Sequence, residues 1–289
     1  MSITEFKEAF DPLLIAELSS RIDRALTAYR GAEIESLLRH LLLLAADGKR
    51  LRPYLVYLGY GDGDAGLGES LLSLCVGVEL FHLFCLVHDD VIDQDPMRRG
   101  VPTMHEFAKS LGGGDSRIAD SLAILVGDMV FSWAREKMNH PEIQSYVERM
   151  IDEVTIGQMI DVRLVALAET SQSALDAMIE LKSARYSFVR PLQIGAALRE
   201  SSEVEEDFFL RFGMALGTAF QLQDDYFDRE KDREQNRPTY YTRGYEDQGV
   251  AKMKELFSVA HELLDASPLL PEVSLALRTL VSVVEARKK

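Results

Sequence analysis

Apolar residues recur at the three- and four-residue spacing of amphipathic helices along almost the whole chain. Nowhere is there a sustained alternating, β-branched pattern of the kind that makes a strand. The spacing predicts an all-α protein, with helices over roughly 3–29, 33–46, 53–60, 68–93, 117–138, 141–167, 173–200, 204–229, 247–265 and 271–287. Breaks are expected at Gly48, across 61–68 and 112–114, at Pro141 and over the polar stretch 231–249. None has the length of an interdomain linker, so the expectation is a single domain over 1–289.

Two of the predicted helices end alike. Residues 80–93 read LFHLFCLVHDDVID and residues 212–228 read FGMALGTAFQLQDDYFD, each an apolar run closing in DDxxD. Residues four apart on a helix lie about 40° apart around its axis, so Asp89 and Asp93 share a face, as do Asp224 and Asp228. Asp90 and Asp225 turn about 100° away. Carboxylates repeated on one face repel unless solvent or a cation screens them. Magnesium suits this donor set, because it takes a few carboxylate oxygens and keeps its other positions for water and phosphate. One DDxxD at a helix end is as readily a solvated acidic terminus; two copies on strongly apolar helices favour a metal role. Zinc is disfavoured, since neither cluster carries a cysteine pair or a paired-histidine motif.

Composition narrows the partners. Thirty-two Lys and Arg against 47 Asp and Glu give a formal charge of −15, which argues against a general affinity for nucleic acid or anionic membrane. An anionic substrate must then meet local cations or metal. The acidic first residues, 1–12, lack the order of a signal peptide, and the longest apolar stretches carry Arg39, His40, Glu79 and His82, against a membrane span. A cytoplasmic location is expected by default. Cys75 and Cys85 lie within one helical apolar run and read as small buried residues rather than a disulfide or a metal site.

Local cations are present. Residues 47–53, DGKRLRP, gather Lys49, Arg50 and Arg52 at a helix start, where unpaired amide groups and the helix dipole add to the charge. Just past the first acidic cluster, 96–105 (PMRRGVPTMH) adds Arg98 and Arg99. Each group alone is an ordinary surface patch. Together, in an acidic chain with two candidate magnesium sites, they favour diphosphate binding. A metal-clamped diphosphate beside long apolar helices implies a substrate with an apolar tail, whose ionisation would leave an allylic cation in a water-poor pocket.

The run HDDVIDQDPMRRGVPTMH, with GKRLRP before it and FQLQDDYFD after it, closely resembles the trans-prenyl diphosphate synthases, or polyprenyl synthetases, over about 47–228. That resemblance implies the isoprenoid synthase fold, antiparallel helices around a deep cavity, in a homodimer. It implies magnesium, three ions per site, bound by Asp89, Asp93 and Asp224 with Asp90, Asp225 and Asp228 in support. Isopentenyl diphosphate would be held by Lys49, Arg50, Arg52, His82 and Arg99, and the allylic diphosphate by Arg98 and Lys182. Ser183 and Gln221 match polar residues placed near the developing cation. By itself His82 reads as a satisfied core histidine as readily, and Lys182 as a surface helix lysine. The GQMID segment, 157–161, matches another family motif to which no chemistry is assigned. After the second cluster the family's lysine pattern is replaced by NRPTYYTRG, so Arg237, with Arg243 beside it, would take the lysines' place.

The implied reaction is condensation of isopentenyl diphosphate with dimethylallyl, geranyl or farnesyl diphosphate by ionisation, condensation and elimination, with pyrophosphate as the base. Product length would be set by Phe84, with Phe81 and Cys85 beside it, and the family pattern points to geranylgeranyl or farnesyl diphosphate. A class I terpene cyclase and a noncatalytic partner subunit are the competing readings. The aspartate clusters alone do not separate synthase from cyclase; the second diphosphate site does.

Overall fold

Phe6, Phe10, Leu14, Leu18 and Ile22 stand four residues apart, and all are buried along one stripe of α1 (Ile3–Ala25). The chain enters this helix through a capping box in which the Ser2 amide donates to Glu5 Oε2 at 2.7 Å and the Glu5 amide to Ser2 Oγ at 3.3 Å. Each such fully buried side chain contributes about 1.5–3 kcal/mol. The structure is a computed structural model that describes residues 1–29, 31–61, 68–111, 114–167, 170–199 and 201–287. It divides into two compact units, residues 1–53 with 72–139 and residues 54–71 with 140–289.

In the first unit α1 packs on α2 (Ala32–Ala46), which buries Leu37, Leu38, Leu41 and Leu44. Between the units' sequence segments run α3 (Leu51–Tyr60) and α4 (Glu69–Asp93), the latter lying mostly in the first unit. Among the described residues α4 is the one helix long and apolar enough to cross a membrane. Within the unit, however, Leu74, Cys75, Val78, Leu80 and Phe81 are buried core residues, and the carboxylate of Glu79 is ion-paired with Arg50. The chain then forms a hairpin of β1 (Met97–Arg98) and β2 (Val101–Pro102), the helix α5 (Met104–Leu111) and the helix α6 (Ser116–Lys137), capped by Asp115. Glu17, Arg21, Glu136 and Lys137 tie α1 to the end of α6, with Arg21 Nη1 at 2.9 Å from Glu136.

Two features here differ from expectation. The hairpin is too short to carry an alternating pattern; it pairs Met97 with Pro102 and Arg98 with Val101 across Arg99 and Gly100. Both turn residues have positive φ, 52° and 81°, the geometry that suits the twist of a two-residue hairpin. The eight-residue α5 was not predicted, although Met104, Phe107, Ala108 and Leu111 keep the i, i+3, i+4, i+7 spacing of an amphipathic helix.

The second unit holds α7 (Gln144–Val165) after a 3₁₀ turn at Pro141–Ile143, and then α8 (Gln172–Met178), a π-helix over Ile179–Val189 and α9 (Arg190–Leu198), which follow one another without a break. It continues through α10 (Glu203–Glu234), α11 (Glu246–Asp265) and α12 (Pro271–Glu285). The stretch read as one helix over 173–200 is thus three, its last residue lying outside the described ones. Pro191 supplies a physical cause: it has no N–H to give and its ring would strike the carbonyl four residues back. The wider π turn relieves that clash, and the Arg190 N–H reaches the Arg185 carbonyl, five residues back. The π segment lies between α7 and α10 at close range, because Gly157 of α7 and Gly217 of α10 have no side chain. A Cβ at Gly157 would lie 2.5 Å from the Lys182 nitrogen, and one at Gly217 would lie 2.7 Å from Ala184 Cα. The breaks expected across 62–67 and 112–113 fall outside the described residues.

Candidate active site

Gly48 leaves room for two guanidinium groups: a Cβ there would lie 2.4 Å from Arg50 Nη1 and 3.2 Å from Arg99 Nη1. Arg50 and Arg99 both take left-handed backbone angles, φ 51° and 52°. That conformation costs an L-residue about 1 kcal/mol or more, and it persists because each side chain is tied down. Arg50 is 2 % exposed and donates to Asp11 Oδ1 at 2.6 Å, to Glu79 Oε1 at 2.7 Å and to the Ala45 carbonyl. Arg99 donates to the Asp47 carbonyl. Arg50, expected among the substrate contacts, is therefore employed inward, joining α1 to α4.

The hairpin aims its other arginine at the first acidic cluster. Arg98 grips Asp90 with Nε 2.8 Å from Oδ1 and 3.0 Å from Oδ2, while Nη2 reaches Oδ1 at 2.5 Å. Asp90 is 1 % exposed, and burial raises its pKa in spite of Arg98. Asp89 is half-buried and Asp93 exposed, as the helix arithmetic requires. Two turns back along α4, His82 is held uncharged: burial, then the positive charges of Arg52, Arg99, Arg98 and Arg50, push its pKa well below the usual imidazole range. His82, Arg50, Glu79 and Arg99 line one pocket with Leu14 and Leu44. Lys49 is exposed beside it and Arg52 half-buried.

An aromatic cluster forms on the same helix, α4. Phe84 meets Phe81 at 5.5 Å and Phe131 of α6 at 5.0 Å between ring centres, both tilted, and His88 edge-on at 4.6 Å. Phe81 is fully buried, and Phe84 and Cys85 are partly exposed. Phe131 carried no sequence signal of its own.

In the second unit the π-helix presents Lys182, whose Nζ lies 2.5 Å from Asp161 Oδ2. That contact gives the GQMID segment its employment: Gly157 admits the Lys182 backbone and Asp161 meets its ammonium. Ser183, next along, is buried. On α10, Gln221 Nε2 donates to Asp225 Oδ1 at 2.7 Å, while Asp225 Oδ2 is buried without a hydrogen-bond partner. Burial, opposed by Gln221 and reinforced by the charges of Asp232, Asp224 and Asp161, pushes the Asp225 pKa up to about 8. Asp232 is pushed up to about 6 by burial, against the nearby Arg237 charge and with that of Asp228. Asp161, Asp224, Asp225, Asp228 and Asp232 thus act on one another electrostatically. The sequence signal for Asp232 was there, four residues past Asp228, but it fell in a polar run assigned to no helix. Asp224 already meets a cation, the guanidinium of Arg287, which also lies 4.6 Å over the Phe220 ring.

Each aspartate cluster, within its own unit, offers donors that suit magnesium. Asp89, Asp93, Asp224 and Asp228 are partly or fully exposed and offer only oxygen. Among the described residues no three His, Cys, Asp or Glu side chains stand together as a metal cage.

Comparison with known proteins agrees with the fold. A short chain isoprenyl diphosphate synthase of Methanocaldococcus jannaschii is 29 % identical over 232 residues, 77 % of this chain and 66 % of that protein. A geranylgeranyl diphosphate synthase of Methanosarcina mazei is 29 % identical over 74 % of this chain and 64 % of its own length. The chain thus spans just under two thirds of these relatives. A crystal structure of geranylgeranyl pyrophosphate synthase from Corynebacterium glutamicum, complexed with isoprenyl diphosphate and magnesium, superposes with a TM-score of 0.82 at 23 % identity, covering 96 % of this chain and 99 % of that one. That likeness, together with the absence of any sheet beyond the hairpin among the described residues, makes the fold the all-α isoprenoid synthase fold. The family model for polyprenyl synthetase matches residues 33–240, a span that contains both aspartate clusters, the arginines of 47–53 and 96–105, Lys182 and Arg237, and the chain belongs to the polyprenyl synthetase family.

Proposed function

We propose that the protein is a short-chain trans-prenyl diphosphate synthase that joins isopentenyl diphosphate to an allylic diphosphate and releases geranylgeranyl or farnesyl diphosphate. The observation that carries this reading is the company around His82: Arg50, Arg52, Arg98 and Arg99 all act on it within a chain of net charge −15. Like charges gathered this way call for anions: Asp11 and Glu79 answer Arg50 and Asp90 answers Arg98, and a diphosphate would join them at Arg52 and Arg99. Lys49, Arg52, Arg99 and His82 hold the isopentenyl diphosphate; Arg50 fixes the loop from behind. Arg98 and Lys182 hold the allylic diphosphate, and Arg237 adds to it. Neutral His82 can donate a hydrogen bond without adding a fifth charge.

Asp89, Asp93, Asp224 and Asp228 would hold magnesium, three ions per site, whose charge would neutralise the departing pyrophosphate. Asp90 and Asp225 serve as inward-facing supports. The allylic C–O bond breaks, the isopentenyl double bond forms the new C–C bond, and a proton leaves the resulting cation for pyrophosphate. Gln221 and Ser183 place oxygen dipoles near the cation, and the Phe81, Phe84 and Phe131 cluster excludes water and limits the tail. The whole chain acts as one catalytic domain, a reading supported by a family match that runs through residues of both units. It assembles as a homodimer, supported by apolar side chains left exposed on α7: Ile156, Met159 and Val162.

A terpene cyclase needs one diphosphate, which leaves the cations of 49–52 and Arg99 without an occupant. Incubation of the purified protein with isopentenyl diphosphate, magnesium and each of the C5, C10 and C15 allylic primers tests the reading. Longer prenyl diphosphates are expected. Cyclic hydrocarbons, or silence with every primer, would overturn it.

A further inference from the structure

The stretch between α10 and α11, where the sequence departs from the family pattern, is densely tied down. Asn236 takes a left-handed φ of 53° just past the end of α10, a conformation asparagine tolerates better than most residues. Its N–H reaches the Arg233 carbonyl at 3.2 Å, and the Arg237 N–H turns back to the Asp232 carbonyl at 2.8 Å. Arg243 closes the turn by donating to Asn236 Oδ1 at 3.1 Å and to the Asn236 carbonyl at 3.2 Å. Thr242 Oγ1 donates to the Arg237 carbonyl at 2.6 Å and accepts the Thr239 N–H at 2.9 Å. Both backbone polar groups of Arg237 are therefore fixed.

The next turn is anchored in the core. Tyr240 and Tyr241, 0 % and 2 % exposed, lie against Leu164, Leu175, Met178 and Ile179. The Tyr240 hydroxyl donates to Asp176 Oδ1 of α8, which also accepts from Lys252 Nζ of α11 at 2.5 Å, and Gln172 donates to the hydroxyl at 3.3 Å. Tyr241 meets Tyr226, which sits between Asp225 and Asp228 on α10, edge-on at 5.4 Å. None of Tyr240, Asp176 and Lys252 belongs to the substrate or metal residues named above, yet a buried hydroxyl, a carboxylate and an ammonium from three separate segments converge at one oxygen.

We infer that the Tyr240 hydroxyl, Asp176 and Lys252 form a positioning network that holds the 235–245 loop, and with it Arg237, against the end of α10 as a preformed contact for a diphosphate. Ordering a loop costs about 1–2 kcal/mol per residue; here that cost is met on folding, so the ligand binds a loop already in place. The identity of the anion rests on the prenyl-transfer reading; the rigidity of the loop does not.

Tyr240→Phe removes the hydroxyl and keeps the buried ring. Amide hydrogen exchange over 237–245 should accelerate, and calorimetric affinity for pyrophosphate with magnesium should fall about three- to tenfold, the worth of one hydrogen bond. In turnover, KM for the diphosphates should rise by the same factor with kcat within about twofold. In an Arg237→Ala background, Tyr240→Phe should leave pyrophosphate affinity unchanged, whereas a merely structural role would add a second loss. Asp176→Asn should repeat the pattern and covers the case in which Tyr240→Phe does not fold. Unaltered exchange in the loop, equal losses in both backgrounds, or a wild-type protein indifferent to magnesium pyrophosphate would overturn the inference. Absence of prenyl transfer alone would overturn the reaction assigned above, while exchange and pyrophosphate binding still decide the network.

Discussion

Asp89 and Asp90 are neighbours in sequence with opposite employments, and about 100° of helical rotation separates them. Asp90 turns inward to Arg98 and Asp89 faces outward, as do their counterparts Asp225 and Asp224. Asp89→Ala should lower kcat a hundredfold or more, the scale of losing a metal ligand or its support; near-normal turnover would remove Asp89 from the site. Asp225 leads to a different expectation. Its folded pKa, about 8, lies above the ordinary aspartate value of 3.8, so between those values the folded state binds more protons than the unfolded one. Stability therefore declines as pH rises through that window, and Asp232, at about 6, acts in the same direction. In metal-free protein Tm should drop from pH 6.5 to 9, and Asp225→Asn should flatten the decline while keeping the oxygen that Gln221 meets. A Tm that climbs over this range would contradict the buried, protonated carboxyl. Phe84→Ala opens the cluster that Phe131 backs, and product analysis should find chains longer by at least one isoprene unit. An unchanged distribution would reduce Phe84 to ordinary packing.

Among the elements, the π-helix carries the most consequence. It sets Lys182 opposite Asp161, and it does so only because Gly157 lets the two backbones approach. Gly157→Ala places a methyl group 2.5 Å from the Lys182 nitrogen and should cost about 1–3 kcal/mol. Tm should fall by several degrees, and KM for the allylic substrate should rise as Lys182 shifts; neither change occurring would show that the approach has slack. The apolar period predicted a helix here correctly but could not disclose its hydrogen-bond register, for which Pro191 was the sole hint. The hairpin is the reverse case. Its two-residue strands hold no pattern, and its identity lies in Arg99 and Gly100 at positive φ, a feature that a Pro- and Gly-bounded loop assignment left unspecified. The end of α10 was misread for a related reason: residues 230–234 are polar throughout, and helix continues there until Asn236 stops it.

At the scale of the molecule, α7 leaves Ile156, Met159 and Val162 exposed at 49 %, 65 % and 48 %, a stripe that an isolated chain would leave in water. Sedimentation should therefore find a dimer, and Met159→Lys should shift it toward monomer without unfolding it; a wild-type monomer would sink the proposed assembly. The all-α character, the paired DDxxD helix ends and the basic motifs were legible in the sequence, because helical period and four-residue spacing are local properties that a chain states directly. What only the tertiary structure decided is how the charges are used. Arg50 looked like a substrate contact until its partners, Asp11 and Glu79, proved to lie 39 and 29 residues away. Phe131, Asp161 and Arg287 joined their sites from distant segments, and Tyr240 turned an atypical polar stretch into a fixed loop. A side chain's role depends on what faces it, and what faces it is set by packing between elements that no local pattern encodes.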